Sequence, residues 1–275
     1  MEELMHKKIK EKEGIKTISI FEEKNISKIL GISVKEVQIQ ALKESIIPGR
    51  YLRNVGAYGI EGQIKLLQST AAVVGAGGLG GWLIEILARA GVGKLIVIDR
   101  DSFEDSNLNR QILCTENNIC QPKVTAARKR IEEINSAVQV EEHHLEVTSQ
   151  NINDLIKDAD VVVDALDNID IRFTVHEAAE KLNIPFVHGA IGGFNAQVTT
   201  IFPGDKSLEK IYGPWDSHVV GGVEKIFGNP SPSPGMCASW QANEAIKLLI
   251  GKGSLLRNKL LFLDAASLTI EIIQL

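Results

Sequence analysis

Hydrophobic positions along this chain follow two patterns: short uninterrupted runs, and longer segments in which they recur every three or four residues. From residue 70 onwards the two patterns alternate, which is typical of strands that alternate with helices. The predicted strands are residues 71–74, 94–98, 138–140, 159–164 and 185–188. The predicted helices are residues 81–90, 122–134 and 171–182. This rhythm predicts an α/β fold, because parallel strands need helical crossovers between them.

The last third of the chain departs from this rhythm. The pattern predicts a strand at residues 195–202, a long loop at 203–234, a helix at 235–250 and a terminal hairpin of strands at 260–264 and 268–273. The two strands of a hairpin pair antiparallel. We therefore expect a doubly wound, mostly parallel, Rossmann-like sheet with helices on both faces and an antiparallel C-terminal extension.

The first 45 residues differ in composition, because they are rich in lysine, glutamate and isoleucine and lack tryptophan and tyrosine. Short helices are predicted at residues 27–30 and 33–42, and the second opens on a capping-box pattern. A proline–glycine pair then marks a boundary. We predict a small N-terminal helical arm, residues 1–48, and a main domain, residues 49–275. Two roles stay open for the arm: a DNA-reading unit, or the favoured role of docking or dimer packing.

Composition and charge narrow the functional classes. Of 275 residues, 44% are hydrophobic and 24% charged, which is typical of a globular protein and not of a disordered one. The 30 basic and 35 acidic side chains give a formal net charge of −5, which argues against bulk nucleic-acid binding. An uncharged run at residues 66–84 contains polar residues and several glycines. It therefore predicts a strand and a glycine turn and not a membrane span.

Cysteine usage points to a reducing compartment. The three cysteines, Cys114, Cys120 and Cys237, form no C-x-x-C pair, which excludes a four-cysteine zinc site and a disulfide scaffold. The first residues are charged and no long apolar segment follows them, so we expect no signal peptide. A reduced, cytoplasmic setting fits these features best.

A glycine-rich turn follows the first predicted strand of the main domain. Gly75, Gly77 and Gly80 satisfy the pattern G-x-G-x-x-G, with Gly78 between them and a helix predicted next. Glycine permits a tight turn and lets a phosphate approach the free N–H groups of a helix N-terminus. Asp99 directly follows the next strand, where a carboxylate accepts hydrogen bonds from a ribose. These residues predict a nucleotide site.

The glycine turn alone fits either a dinucleotide-dependent dehydrogenase or an enzyme that uses ATP. A triphosphate carries more negative charge and needs cations around it, whereas hydride transfer does not. Arg110 follows the second strand, Lys123 opens the next helix and Asp167 follows the strand at 159–164. A dehydrogenase leaves these three residues without a role, so the sequence favours ATP. For Asp167, a helix cap is the structural alternative.

Short motifs in a fixed order carry a resemblance to a known family. They are R-Y-L-R at residues 50–53, G-A-G-G-L-G at 75–80, A-G-V-G at 90–93, I-D-R-D at 98–101, S-N-L-N-R-Q at 106–111, Q-P-K at 121–123, D-A-L-D-N at 164–168, H-G-A at 188–190 and Q-A-N-E-A-I-K at 241–247. Over residues 50–275 the chain resembles the ThiF/MoeB/HesA adenylyltransferases, bacterial relatives of ubiquitin-activating enzymes. The combination is more specific than any single motif.

The resemblance implies a reaction and roles for individual residues. ATP with Mg²⁺ and the C-terminal glycine of a ubiquitin-fold protein would give an acyl adenylate and pyrophosphate. By the same resemblance, Arg110 and Lys123 bind the phosphates and Asn107 helps to position them. Asp99 holds the ribose, and Asp167 orients Mg²⁺ and is needed for adenylation.

The resemblance also implies partners. The substrate would be a sulfur carrier that ends in Gly-Gly and serves thiamine synthesis or molybdenum or tungsten cofactor synthesis. The enzyme would be a homodimer, in which Arg53 reaches into the neighbouring subunit's site, with Arg50 as the alternative. We expect Asp101 and Asp164 to have structural or supporting roles and His188 to be buried.

The chain departs from the family pattern in its cysteines. Many members hold zinc with two C-x-x-C pairs in the C-terminal part, and these are absent here, so we expect no zinc. Some members pass the acyl group to a cysteine on a long loop, and the corresponding segment here has none. Cys237 lies at the start of a predicted helix, and a helix N-terminus lowers the pKa of a thiol. The favoured explanation of Cys237 is nevertheless that it is a small residue packed against the nucleotide fold. We expect the enzyme to stop at the acyl adenylate, which a sulfur donor such as a cysteine desulfurase then attacks.

Three other functions stay open. The first is ATP-dependent activation of another carboxylate, on a modified tRNA adenosine or at a peptide C-terminus. The second is an NAD-dependent oxidoreductase. The third is a non-catalytic scaffold that keeps only nucleotide binding.

Overall fold

The computed structural model describes residues 10–12, 14–214 and 227–275. A small unit precedes the main domain and consists of strands β1 (Lys10–Lys12), β2 (Ile15–Ile18) and β3 (Ile46–Pro48) and helices α1 (Ile20–Leu30) and α2 (Val34–Lys43). Strand β2 pairs antiparallel with β1 and parallel with β3. The predicted arm is therefore not helical alone. Helix α1 begins earlier than predicted because Ser19 and Glu22 form a capping box.

An eight-stranded sheet forms the centre of the main domain. Its strands are β4 (Thr70–Val74), β5 (Lys94–Ile98), β6 (Gln139–His143), β7 (Val161–Asp164), β8 (Phe186–Gly192), β9 (Asn195–Ile201), β10 (Lys259–Asp264) and β11 (Thr269–Gln274). Their order across the sheet is β11-β10-β9-β8-β7-β4-β5-β6. The pairs from β6 to β8 are parallel, and those from β8 to β11 are antiparallel. The predicted fold class, with its antiparallel C-terminal extension, is confirmed.

Helices cover both faces of this sheet. They are α3 (Val55–Gln68), α4 (Gly78–Ala90), α5 (Lys123–Ile134), α6 (Ile152–Ile156), α7 (Ile169–Lys181), α8 (Ser207–Tyr212) and α9 (Pro232–Ile250), with 3₁₀ turns at Gly49–Tyr51, Asp105–Asn107 and Glu116–Asn118. One core joins Val73 to α4, α5 and α9, and the other joins Val74 to α6 and α7. Consecutive strand residues point to opposite faces, so the two cores lie on the two sides of the sheet. No helix in the described ranges is long and apolar enough to cross a bilayer.

The predicted strands of the main domain are present, with ends that differ by a few residues. Helices α3, α6 and α8 and the N-terminal sheet lie outside the predicted elements. The predicted loop at 203–234 contains α8 and the first turn of α9, and its residues 215–226 lie outside the described ranges. Helix α9 begins at Pro232 because proline fits the first position of a helix. The boundary after residue 48 stays a prediction.

Candidate nucleotide site

A cavity of about 870 Å³ opens at the carboxyl ends of β4, β5 and β7. Strands β5 and β7 lie on opposite sides of β4. Chain order therefore reverses here, and open α/β sheets bind ligands in the crevice at such a point. The predicted site residues that line the cavity are Gly75, Gly77, Gly78, Asp99, Arg110, Lys123 and Asp167. The strand ends thus bring together residues from distant parts of the chain.

The glycine turn between β4 and α4 requires glycine at two positions. Gly75 has a φ of +99°, and a Cβ atom there would lie 2.6 Å from the carbonyl oxygen of Ala165. Gly80 lies behind the turn, and a Cβ atom on it would lie 1.9 Å from the carbonyl oxygen of Gly75. Helix α4 begins at Gly78, and Gly77 before it provides no side-chain cap. The first N–H groups of α4 are therefore available to an anion.

Asp99 lines the cavity and is tied to the glycine turn. Its Oδ2 accepts a hydrogen bond from the Ala76 N–H at 2.6 Å, and its Oδ1 accepts one from the Asp101 N–H at 2.8 Å. These bonds fix the orientation of the carboxylate. A carboxylate oxygen accepts two hydrogen bonds, so each oxygen retains a lone pair for a ligand hydroxyl.

Two predicted cations lie at the cavity wall. Lys123 is only 6% exposed, and its Nζ lies 2.9 Å from Oδ2 of Asp101. Arg110 donates through Nη1 to the Ser106 carbonyl oxygen at 2.8 Å and to Oδ1 of Asn109 at 2.9 Å. These contacts hold two positive charges beside the glycine turn, an arrangement suited to an anionic ligand.

Asn107 lies apart from the cavity wall. Its Oδ1 accepts a hydrogen bond from the Glu104 N–H at 3.1 Å, and its carbonyl oxygen accepts the N–H groups of Arg110 and Gln111. Asn107 therefore shapes the loop that presents Arg110. Gln111 does line the cavity, and its buried Oε1 has no hydrogen-bond partner among the described residues. Its place at the end of the S-N-L-N-R-Q motif is the signal that could have identified it.

Asp167 lies at the cavity wall, in the turn between β7 and α7. It is exposed, and its side chain makes no hydrogen bond or ion pair within the part of the chain that the structure describes. Asn168 is the residue that caps α7, because its Oδ1 accepts the Ile171 N–H at 3.0 Å. The helix-cap explanation of Asp167 is therefore wrong, and its carboxylate is available to a ligand.

The two arginines of the R-Y-L-R motif differ in their surroundings. Arg50 donates through Nη1 to Oδ1 of Asn135 at 2.7 Å and to the carbonyl oxygen of Ile134 at 3.0 Å. Arg53 is exposed, does not line the cavity and has no side-chain partner in the described ranges. Arg50 is thus engaged within its own chain, whereas Arg53 is accessible to a second molecule.

A buried polar cluster lies next to the cavity, and the sequence did not predict that its members contact one another. Asp164 ends β7 and is fully buried, and its Oδ2 accepts hydrogen bonds from Nε of Arg172 and Nδ1 of His188, each at 2.7 Å. The expected burial of His188 is confirmed, and the contacts of Asp164 are consistent with the expected structural or supporting role. The sequence does not predict the role of Arg172, because a helical arginine four residues after Asn168 carries no sign of burial.

Two of the three cysteines, Cys114 and Cys237, are buried. Cys237 lies within α9, and complete burial raises its pKa to about 12. Burial also raises the pKa of Cys114, whereas Cys120 is exposed. A protonated, buried thiol is a poor nucleophile, which supports the packing role of Cys237. Within the described ranges, no three His, Cys, Asp or Glu side chains are grouped to hold a metal ion.

Comparison with known proteins identifies the family to which the chain belongs. The model of the ThiF family matches residues 51–275. The chain belongs to the ThiF family. This ThiF-family chain is 37% identical over 230 residues to the SAMP-activating enzyme E1 of Haloferax volcanii, covering 81% of this chain and 83% of that protein. It is 41% identical over 209 residues to the sulfur carrier protein ThiS adenylyltransferase of Bacillus subtilis, covering 74% and 62%.

Some relatives are longer than this chain, and solved structures share its fold. The chain spans about half the length of the adenylyltransferase and sulfurtransferase relatives that it also matches. The structure of E. coli MccB with ATP superposes with a TM-score of 0.70 over 82% of this chain and 70% of that one, at 22% identity. This likeness shows the common fold.

Proposed function

We propose that this ThiF-family chain is an ATP-dependent adenylyltransferase that activates the C-terminal glycine of a ubiquitin-fold sulfur-carrier protein. The observation that carries the proposal is the cavity, which joins the glycine turn to Asp99, Arg110, Lys123 and Asp167. Two relatives at 37% and 41% identity are named as a SAMP-activating enzyme and as an adenylyltransferase of the sulfur carrier ThiS. Both names support a carrier protein as the substrate.

The proposed reaction joins a carboxylate to the α-phosphorus of ATP. A carrier carboxylate oxygen forms a bond to the α-phosphorus, and the bond from that phosphorus to the oxygen bridging to the β-phosphate breaks. Pyrophosphate leaves with the bonding electrons, and an acyl adenylate remains. An anion here attacks an anionic centre, so positive groups must neutralise the phosphates. Arg110, Lys123 and the N–H groups at the start of α4 supply this charge.

The remaining polar residues would orient the nucleotide. Asp99 would bind the ribose, because its carboxylate is held in place and retains lone pairs for two hydroxyl groups. Asn107 would act through the loop, since its carbonyl oxygen holds the backbone of Arg110. A nucleotide bound in this way presents its α-phosphate to an incoming tail in a fixed orientation, which lowers the entropic cost of the reaction.

Magnesium enters the proposal as the companion of the ATP phosphates. Asp167 would hold the ion, because exposed carboxylate oxygens without another partner in the described ranges are ligands that Mg²⁺ prefers. One protein carboxylate together with phosphate oxygens and water is a common Mg²⁺ site, and it needs no cluster of protein ligands. When bound, the ion would neutralise charge on the phosphates. Zinc has no part in the proposal.

The proposal extends to the assembly and to the following step. The active form would be a homodimer in which Arg53 contacts the partner's cavity, consistent with its exposure. A sulfur nucleophile on a donor such as a cysteine desulfurase would bond to the acyl carbon of the adenylate, and AMP would leave with the electrons of the broken carbon–oxygen bond. An external donor is proposed because Cys237 is buried and protonated. A reduced, cytoplasmic setting suits the free thiols.

Exchange of labelled pyrophosphate into ATP tests the function directly. The purified chain, Mg-ATP and ThiS as the first carrier should give exchange, and a carrier that lacks its final glycine should give none. Exchange driven only by tRNA or by a peptide C-terminus would favour activation of another carboxylate. If the chain binds NADH and does not bind ATP, the oxidoreductase is favoured. If it binds ATP but catalyses no exchange, the scaffold is favoured.

A further inference from the structure

A buried polar cluster lies beside the turn that carries Asp167, and its Arg172 and Tyr212 also line the cavity. Asp164, Arg172 and His188 are 0%, 3% and 0% exposed. Oδ2 of Asp164 accepts hydrogen bonds from Nε of Arg172 and from Nδ1 of His188, each at 2.7 Å. The Tyr212 hydroxyl closes the cluster, since its oxygen lies 3.1 Å from Nη1 of Arg172 and 3.2 Å from Nε2 of His188.

The charges in this cluster balance. Burial alone raises the pKa of Asp164, but Arg172 and the hydrogen bond from His188 outweigh it and hold that pKa below its usual value. Burial lowers the pKa of His188, so its ring is neutral and donates one N–H to Asp164. Asp164 and Arg172 thus form a buried ion pair. Such pairs add little net stability compared with apolar side chains of similar size, so stability alone does not account for this one.

Arg172 also binds the backbone of the turn. Its Nη2 donates a hydrogen bond to the carbonyl oxygen of Leu166, and Oδ1 of Asp164 accepts the Leu166 N–H at 3.0 Å. The Leu166 carbonyl belongs to the peptide bond that leads into Asp167. One buried ion pair therefore holds both backbone polar groups of the residue before Asp167.

Asp167 itself has no comparable support. Its side chain makes no hydrogen bond or ion pair among the residues described by the structure, so the backbone of the turn sets the position from which its carboxylate extends. The following residue, Asn168, is fixed to the helix by the hydrogen bond from the Ile171 N–H. The turn is thus held on both sides of Asp167, and Arg172 provides the contact on the strand side.

We infer that Arg172 is a positioning residue, which holds the peptide bond between Leu166 and Asp167 so that the Asp167 carboxylate stays at the cavity wall. The inference rests on the proposed function for the role of Asp167. Arginine is required because its guanidinium offers several N–H donors in one fixed plane, and these reach Asp164, Leu166 and Tyr212. Lysine keeps the charge and loses this geometry.

A double-mutant cycle on pyrophosphate exchange tests the inference. Arg172→Lys should lower kcat about 10- to 100-fold and change the KM for ATP by less than about threefold. In the Asp167→Ala background the same substitution should cause no further loss, because the residue that it positions is gone. A purely structural role predicts equal losses in both backgrounds, and that result would overturn the inference.

Arg130, a half-buried arginine in an ion pair away from the cavity, provides a control. It forms a two-fold hydrogen-bonded ion pair with Glu85, at 2.8 and 2.9 Å, and does not line the cavity. Arg130→Lys should leave exchange unchanged in both backgrounds. If Arg172→Lys does not fold, Tyr212→Phe removes one acceptor of Arg172 and should lower kcat about threefold, again only when Asp167 is present. An unchanged kcat in Tyr212→Phe would then overturn the inference.

Hydrogen–deuterium exchange separates failure of this inference from failure of the proposed function, because it needs neither carrier nor ATP. The Leu166 amide donates to Oδ1 of Asp164, so Arg172→Lys should speed its exchange about tenfold, whereas the amides of β5 should keep their rates. Unchanged exchange at the Leu166 amide would overturn the inference. Absence of carrier-dependent pyrophosphate exchange in the unmodified protein would overturn only the proposed function.

Discussion

Nζ of Lys123 lies 2.9 Å from Oδ2 of Asp101, and both residues line the cavity. The lysine is almost buried, whereas the aspartate is exposed. An exposed carboxylate thus holds a cation at the wall of a site proposed to bind phosphates. A phosphate oxygen and this carboxylate would compete for the same ammonium group, so the two side chains should affect ATP binding in opposite directions.

Substitutions at Lys123 and Asp101 should therefore change the affinity for ATP in opposite directions. Lys123→Met should weaken ATP binding about tenfold or more, because it removes a positive charge from a nearly buried position. Asp101→Asn should tighten binding about threefold, because it removes a negative charge next to the phosphates. Titration calorimetry with a non-hydrolysable ATP analogue measures both affinities. Equal weakening in the two variants would mean that the pair is structural only.

Gly80 should be essential although it lies behind the turn. A Cβ atom there would lie 1.9 Å from the carbonyl oxygen of Gly75, and a backbone atom cannot move aside cheaply. Gly80→Ala should cost about 2–4 kcal/mol in the free energy of unfolding and abolish ATP binding. Chemical denaturation and calorimetry measure these effects. Gly56→Ala is the control, because nothing lies within 4 Å of its added Cβ; wild-type behaviour of Gly80→Ala would contradict the prediction.

Much of the candidate site could be predicted from the sequence because it lies at strand ends. The carboxyl ends of parallel strands share one edge of the sheet, so a residue that follows a recognisable strand is already placed. Asp99 and Asp167 follow β5 and β7, and the glycine turn follows β4. Each strand is a run of apolar, mostly β-branched residues, which makes its end visible in the pattern.

The remaining features depend on contacts between distant segments. Asp164 and His188 are 24 positions apart, and nothing in either segment predicts that their side chains form a hydrogen bond. The N-terminal sheet has strands of three or four residues, too short to show an alternating pattern. The S-N-L-N-R-Q motif identified Asn107 as a candidate site residue. Its burial and its backbone contacts depend on the folded loop, which the motif does not describe.

Cys237 should be unreactive in the folded protein. Its burial raises the pKa to about 12, so the thiol stays protonated at neutral and mildly alkaline pH. Under native conditions iodoacetamide should modify Cys120, which is exposed, and leave Cys237 untouched, as peptide mass spectrometry would show. Cys237→Ala should keep both exchange and sulfur transfer and lose about 1 kcal/mol of stability. If sulfur transfer alone were lost, Cys237 would be a covalent intermediate.

Asp167 should affect catalysis without affecting stability. Asp167→Ala should lower carrier-dependent pyrophosphate exchange about 100-fold or more, because it removes the carboxylate proposed to hold Mg²⁺ beside the phosphates. The free energy of unfolding should change by less than about 0.5 kcal/mol, because the side chain is exposed and makes no bond in the described ranges. Asp158→Ala is the matched control, since Asp158 is an exposed carboxylate that does not line the cavity. Exchange near the wild-type rate in Asp167→Ala, measured over a range of Mg²⁺ concentrations, would remove Asp167 from the mechanism.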